Sequence, residues 1–169
     1  MDNARKKVEN PAISQLEWQE LNLESEDELI LPNNTDTVIS LAPLWLVATR
    51  VNEMAEQGIR RLIFFSSTSR FTKLESTDDA DRKLAFRLAE SEERLIGECE
   101  KYGVQWTLFR PTMVYGCGLD KNIFSIASFI RRSGFFIMAG EGKGCRQPVH
   151  ADDLAGACLK SLQNEASYQ

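Results

Sequence analysis

The stretch RLIFFSSTSR, residues 61–70, contains four consecutive hydrophobic residues followed by four hydroxyl-bearing ones at 66–69. A short, continuous apolar run is typical of a strand that is buried on both faces of a parallel sheet. Residues that follow such a strand lie at its carboxyl end, where open parallel sheets bind their ligands. The stretch therefore predicts a buried parallel strand that ends at a ligand-binding edge. The alternative is that the hydroxyls only cap the strand end or the next turn through local backbone bonds.

Strand and helix patterns alternate along the rest of the chain. Apolar runs at 37–42 and 104–111 predict further strands, and amphipathic repeats predict helices at 44–57, 79–101, 122–134 and 151–162. Shorter strands are predicted at 16–23, 135–140 and 146–150. Strands that alternate with helices indicate an α/β fold with a doubly wound parallel sheet.

Length and composition indicate one domain. The chain has 169 residues, 43% of them hydrophobic and 27% charged, and a formal net charge of −5. We expect a polar lead-in at 1–15 and a single domain at 16–169. The acidic balance disfavours a nucleic-acid or anionic-membrane partner, and no apolar stretch is long enough to span a bilayer. The polar N-terminus lacks a signal-peptide core, which favours a cytoplasmic location.

Few residues suit metal or thiol chemistry. The four cysteines have no Cys-x-x-Cys spacing and are expected to be free thiols, and with one histidine in the chain no metal site is predicted. We expect His150 to be structural, Asp152 to begin the last helix, and Arg110 to pair with a carboxylate near the helix at 79–101. The acidic residues of that helix are expected to form a solvated face: Glu90, Glu92, Glu93, Glu98 and Glu100.

Four segments together resemble the NAD(P)-dependent epimerase/dehydratase family of extended short-chain dehydrogenase/reductases. They are TVISLAP (37–43), GIRRLIFFSSTS (58–69), YGVQWTLFRPTMVYGCG (102–118) and GKGCRQPVHADDLAGACLKSL (142–162). The resemblance spans about residues 16–163. It implies a Rossmann-like sheet with a small C-terminal substrate-side portion, NAD or NADP as the cofactor, and a nucleotide sugar as the ligand.

The resemblance also assigns roles to individual residues. Thr68 matches the family's catalytic Ser or Thr, and Lys73 is a nearby candidate to replace the family's tyrosine. A substrate diphosphate would be held by Asn122 and Arg146, since a guanidinium binds phosphate oxygens two at a time. The implied cofactor contacts are Ala42, Pro43, Ser66, Ser67, Pro111, Thr112 and Val114.

Two family features have no counterpart in this sequence. No glycine precedes Gly58, so the Gly-rich turn that holds the pyrophosphate is not found, and the chain is expected to begin after the family's first βαβ unit. We therefore expect weak dinucleotide affinity unless another chain completes the site. No tyrosine has a lysine four residues later. Aliphatic residues stand at the matching helix positions, either Leu84 and Leu88 or Ala85 and Ala89.

Three functional hypotheses follow. The first is that the chain is an NAD(P)-dependent epimerase/dehydratase. The second is that it is a non-catalytic relative, which binds a dinucleotide, a nucleotide sugar or another subunit. The third is that it is a fragment of a longer oxidoreductase. A sheet without its first strands leaves an unpaired edge and an apolar face, which favours a homodimer or a swapped oligomer.

Overall fold

The longer strands and helices follow the order that the sequence predicts, whereas the short helix at 69–72 and the short strand at 113–115 are not predicted. The computed structural model describes residues 17–25, 27–116, 118, 120, 122–137 and 147–168. Its elements are β1 (Thr37–Ser40), α1 (Leu44–Val47), α2 (Val51–Glu56), β2 (Arg61–Phe65), α3 (Ser69–Thr72), α4 (Asp79–Tyr102), β3 (Gln105–Phe109), β4 (Met113–Tyr115), α5 (Ile123–Ser133), β5 (Pro148–His150), α6 (Ala151–Gln163) and a 3₁₀ turn (Glu165–Ser167).

The first three strands form a parallel sheet in the order β1-β2-β3. In the register, Ile63 of β2 lies between Ile39 of β1 and Thr107 of β3. Strands β4 and β5 form a second, two-stranded parallel sheet. Because the three strands of the larger sheet run in the same direction, their carboxyl ends all lie at one edge.

The central strand β2 is buried on both faces of the sheet, as its apolar run predicts. Leu62 and Phe64 belong to the main core, together with residues of α1, α2 and α4. Ile63 points to the opposite face, because side chains alternate along a strand, and it too is fully buried. On that face, Nη2 of Arg61 donates to the carbonyl of Ser161 in α6. Helices therefore cover both faces, and the predicted Rossmann-like, doubly wound α/β fold is confirmed.

The prediction of one continuous helix at 44–57 is wrong, because a turn separates α1 from α2. Arg50 stands at this turn, and its backbone N–H bonds to the carbonyl of Val47, three residues back. Its buried guanidinium donates to the Asp27 carbonyl at 3.2 Å and to Glu53 at 2.7 Å. The bond to Asp27 anchors the turn to the loop that precedes β1. The local spacing of apolar residues does not reveal this long-range contact.

Three smaller predictions also differ from the structure. The described part of the predicted strand at 16–23 is not a strand, and neither are residues 135–137 of the one predicted at 135–140. Helix α6 begins after His150 rather than at Asp152, because Nδ1 of His150 accepts the Asp152 N–H at 3.2 Å. The predicted lead-in at 1–15 lies outside the described residues. Within the described ranges, no helix is both long and apolar enough to cross a membrane.

Candidate functional site

The segments that follow β2 and β3 are joined by two backbone hydrogen bonds. The N–H of Ser66 donates to the Phe109 carbonyl at 2.8 Å, and the N–H of Thr68 donates to the Pro111 carbonyl at 3.2 Å. The hydroxyl-rich residues 66–69 therefore lie beside the residues that follow β3, at the carboxyl edge of the sheet.

A cavity of about 350 Å³ opens between the segments that follow β1 and β2; we call it the hydroxyl cleft. It brings together four of the seven predicted cofactor contacts, Ala42, Pro43, Ser66 and Ser67. Its volume is at the small end of the range for small-molecule pockets. The remaining lining residues are Leu41, Leu44, Trp45, Phe65, Ser69, Leu84 and Leu88.

Helix α4 lines the hydroxyl cleft with Leu84 and Leu88. Leu84 is 36% exposed and Leu88 8%, whereas Ala85 is fully buried. Of the two pairs that could occupy the family's Tyr and Lys positions, the leucine pair is thus the one that lines the cleft. Neither leucine can bind or release a proton.

The serine hydroxyls at the cleft also make hydrogen bonds within the protein. Ser66 Oγ donates to the Glu92 carboxylate. Ser67 Oγ donates to Ser69 Oγ at 3.1 Å and accepts the Ser69 N–H at 3.1 Å. A hydroxyl oxygen has two lone pairs, so these groups keep some capacity to accept bonds from a ligand. Ser67 therefore both caps the following turn and lines the cleft, whereas the hydroxyl of Ser66 bonds across to helix α4.

Glu92 was expected on a solvated helix face, and that prediction is wrong. Its side chain is fully buried and accepts hydrogen bonds from Ser66, from Arg70, and from Arg110 at 3.0 Å to Nε and 2.8 Å to Nη2. Burial opposes ionisation, but these donors outweigh it and hold the pKa of Glu92 below its ordinary value. One sequence signal could have revealed it: Glu92 falls at helical spacing on the buried line between Leu88 and Leu95.

The predicted pairing of Arg110 with a carboxylate of the long helix is confirmed, since that carboxylate is Glu92. Glu92 therefore connects three parts of the fold: the segment after β2, helix α4, and the residue after β3. We call this group the Glu92 cluster; its members are Ser66, Arg70, Glu92 and Arg110.

The two predicted catalytic residues lie apart from the lining of the hydroxyl cleft. Thr68 precedes α3, where its carbonyl accepts the N–H of Phe71 at 3.0 Å. Lys73 Nζ donates to Asp81 at 2.6 Å, and this bond holds the pKa of Asp81 below its ordinary value. Lys73 thus pairs with Asp81 and does not line the hydroxyl cleft.

Two other predicted cofactor contacts, Pro111 and Val114, line a second cavity of about 520 Å³, which we call the apolar groove. Leu41 and Phe65 line both this groove and the hydroxyl cleft, so the two cavities adjoin. The remaining groove residues are Ile39, Ala151, Leu154, Ala155, Cys158 and Leu159.

Thr112 lies in a third cavity of about 480 Å³, together with Arg110, Tyr115 and His150. Its hydroxyl donates to the carbonyl of Gln147, which ties the start of β4 to the segment before β5. The Tyr115 ring meets the His150 ring edge-on at 5.1 Å between centroids. These contacts are consistent with a structural role for His150.

The two predicted substrate-binding residues are not brought to the hydroxyl cleft by any described contact. Asn122 stands just before α5 but does not cap it; Asp120 Oδ1 accepts the Phe124 N–H at 2.9 Å instead. Arg146 lies outside the described residues. The described ranges contain no group of three His, Cys, Asp or Glu side chains that could hold a metal ion.

Comparison with known proteins identifies one family. The family model described as NAD dependent epimerase/dehydratase family matches residues 33–169. No curated protein sequence matches the chain.

Several solved structures share the fold. A UDP-N-acetylglucosamine 4-epimerase from Methanobrevibacter ruminantium M1, in complex with UDP-N-acetylmuramic acid, has a TM-score of 0.60 at 20% identity, covering 79% of this chain and 53% of that one. A UDP-glucose 4-epimerase from Thermotoga maritima, with UDP-glucose, has a TM-score of 0.56 at 19% identity, covering 76% and 52%. A GDP-mannoheptose C4 reductase from Campylobacter jejuni, with NADP bound, has a TM-score of 0.59 at 14% identity, covering 76% and 56%. The chain thus spans about half the length of these structures.

Proposed function

Because the chain belongs to the NAD dependent epimerase/dehydratase family, we propose that its hydroxyl cleft binds the nicotinamide end of NAD or NADP without catalysing proton transfer. The chain is then a non-catalytic binding member of the family.

The observation that carries this proposal is the pair of leucines on the α4 wall of the cleft. Proton transfer to a substrate needs a titratable group within hydrogen-bond reach of the reacting atom. The family resemblance places that group and its lysine partner at either Leu84 and Leu88 or Ala85 and Ala89, and of these two pairs only the leucines line the cleft. Lys73, the nearby candidate to replace the family's tyrosine, is paired with Asp81.

The residues of the cleft suit a flat, partly polar ring. Ser66, Ser67 and Ser69 offer hydroxyls to a carboxamide or a ribose, while Leu84 and Leu88 offer an apolar wall. By the family resemblance, the ribose and the diphosphate lie near Ala42 and Pro43. A bound nicotinamide supplies hydride chemistry, and this chain's own residues would only bind and orient it.

A nucleotide sugar is the second ligand that we propose. Two of the similar structures hold UDP-linked ligands, although at 19–20% identity they establish only the fold of this chain. Asn122 and Arg146 remain proposed diphosphate contacts. The association of copies of the chain is likewise a proposal.

An enzymatic function is the second candidate, and the position of Thr68 favours it. Thr68 matches the family's catalytic hydroxyl, and its backbone bond to Pro111 holds it at the carboxyl edge of the sheet. If the chain is an enzyme, Thr68 orients the substrate and a group other than the family's tyrosine moves the proton.

Binding can be tested by titrating the chain with NADH and NADPH while following their fluorescence. Leu84→Arg places a bulky charge in the cleft and is expected to weaken binding at least tenfold. Leu74→Arg is the matched control, because Leu74 is 39% exposed, close to the 36% of Leu84, but does not line the cleft. Absence of binding to the wild type, or equal binding by both variants, would contradict the proposed site.

Catalysis is tested separately with UDP- and GDP-sugars in the presence of NAD or NADP. The proposal expects no turnover. Turnover that is lost in Thr68→Ala would establish the enzymatic candidate and refute the non-catalytic one.

A further inference from the structure

Ser66 carries the hydroxyl that links the hydroxyl cleft to the Glu92 cluster. The residue lines the cleft, and its Oγ donates a hydrogen bond to Oε1 of Glu92. The other carboxylate oxygen, Oε2, accepts hydrogen bonds from Arg70 and from Arg110. Glu92 thus divides its two oxygens between the arginines and the serine at the cleft.

The ionisation of Glu92 fixes the direction of the Ser66 hydrogen bond. Burial opposes ionisation, but the hydrogen bonds from Arg110, Ser66 and Arg70 hold the pKa of Glu92 below its ordinary value, so the carboxylate is ionised at neutral pH. An ionised carboxylate can only accept hydrogen bonds, and the proton between the two oxygens therefore belongs to Ser66. The single proton of this hydroxyl is used inside the protein.

A hydroxyl whose proton is already used offers only its lone pairs to a ligand. The backbone N–H of Ser66 is used as well, because it donates to the Phe109 carbonyl at 2.8 Å. Ser66 therefore presents an acceptor to the cleft. A ligand atom that meets this acceptor has to carry a hydrogen, because two acceptors that face each other leave both without a partner.

The lining of the cleft limits the charge of that ligand group. None of the eleven described residues that line it has a charged side chain. A carboxylate or an ammonium group that moves from water to such a lining loses hydration without gaining a counter-ion. A neutral N–H donor suits both the acceptor and the uncharged walls.

We propose that Glu92 holds the Ser66 hydroxyl as an acceptor, and that Ser66 thereby selects ligands whose end group carries a neutral N–H, such as the carboxamide of NAD or NADP. This inference rests on the proposed binding of the nicotinamide end to the hydroxyl cleft. Ser66 is then a specificity-determining residue, and Glu92 is a positioning residue that acts through it.

Competition between two dinucleotides tests the proposal. 3-Acetylpyridine adenine dinucleotide keeps the ring and the carbonyl of NAD but has a methyl group in place of the carboxamide NH₂. Displacement of NADH from the full chain, followed by the fluorescence of NADH, gives the affinity for each dinucleotide. The wild type is expected to bind NAD about tenfold more tightly than the analogue, because the analogue leaves the Ser66 acceptor without a partner.

Two variants separate the roles of Ser66 and Glu92. Ser66→Ala removes the acceptor and is expected to reduce the preference for NAD to less than about threefold. Glu92→Gln keeps the Ser66 hydroxyl but supplies an amide that can donate to it, so Ser66 can turn its own proton to the ligand. The preference is expected to decrease in this variant as well. A loss of stability weakens the binding of both dinucleotides in proportion, so the ratio of the two affinities reports the direction of the hydrogen bond.

Ser161→Ala is the matched control. The Ser161 hydroxyl donates to the Cys158 carbonyl at 2.7 Å within α6, and Ser161 does not line the cleft. This variant is expected to keep the wild-type preference.

The outcomes distinguish this inference from the proposed function. Equal binding of NAD and the analogue by the wild type, a preference that persists in Ser66→Ala or in Glu92→Gln, or one that is also lost in Ser161→Ala would overturn the inference and leave the proposed binding of the nicotinamide end in place. Absence of NADH binding to the wild type would contradict the proposed function and, with it, this inference.

Discussion

Replacement of Glu92 by glutamine tests whether the Glu92 cluster holds the site together. The substitution keeps the shape of the side chain but removes the one negative charge that Arg70 and Arg110 share. Glu92 is fully buried, whereas the side chains of Arg70 and Arg110 are 20% and 35% exposed. The arginines can thus recover part of their hydration, but they lose their common partner.

The structure sets the expected magnitude. Removal of one partner from a buried ion pair costs about 3–5 kcal/mol, and the partial exposure of both arginines places this case near 3 kcal/mol. For a chain of this size, each kcal/mol lowers the melting temperature by about 2–4 °C, so a decrease of about 6–12 °C is expected. Glu93→Gln is the matched control. Glu93 is 75% exposed and lies 3.4 Å from Arg70, so its loss is expected to cost less than about 1 kcal/mol.

Urea unfolding followed by circular dichroism measures both variants, and its pH dependence adds an independent check. Because the folded-state pKa of Glu92 is lowered, its stabilising contribution is fully present above the unfolded pKa of about 4.3. That contribution is lost as the pH falls through the folded pKa. The stability difference between wild type and Glu92→Gln is therefore expected to be largest at neutral pH and to shrink below about pH 4. A Glu92→Gln protein as stable at pH 7 as Glu93→Gln would refute the assignment.

Three further predictions concern single positions. Asp78→Ala removes the side chain that accepts the Ala80 N–H at the start of α4 and is expected to lower the free energy of unfolding by about 1 kcal/mol in urea. Gly116→Ala is expected to cost about 1–3 kcal/mol, because Gly116 has a φ of +138° and a Cβ there would lie 2.9 Å from His150 Nε2. Its control, Gly97→Ala inside α4, meets no neighbour and is expected to stabilise by about 0.5–1 kcal/mol; equal effects of the two changes would contradict this reasoning. Burial raises the pKa of the Cys99 thiol to about 12, so peptide mapping after alkylation at pH 8 is expected to show this thiol unmodified in the folded chain, and rapid labelling would show that it is accessible.

The sequence by itself determined the class of the fold and the order of its longer elements, although it predicted neither α3 nor β4. The RLIFF run, the repeat of α4 and the stop at Gly103 are local signals, and each corresponds to an element at nearly the predicted bounds. Four motifs were enough to identify the family. The absence of Tyr-x-x-x-Lys could also be read directly, because it depends only on spacing along the chain.

The tertiary structure decided which side chains meet. The charge pattern of α4 placed Glu92 in solvent, but Arg70 and Arg110, which are 22 and 18 residues away, compensate its charge inside the fold. The spacing of residues along the sequence could not show whether Leu84 or Ala85 faces the cleft. Adjacent helical positions differ by only about 100° around the helix axis. Which of them faces the cleft depends on how α4 rotates to bury Ala85, Leu88 and Leu95. Local sequence patterns predict the secondary structure of the backbone. The burial and ion pairing of side chains depend on residues that are distant in sequence and meet only in the folded chain.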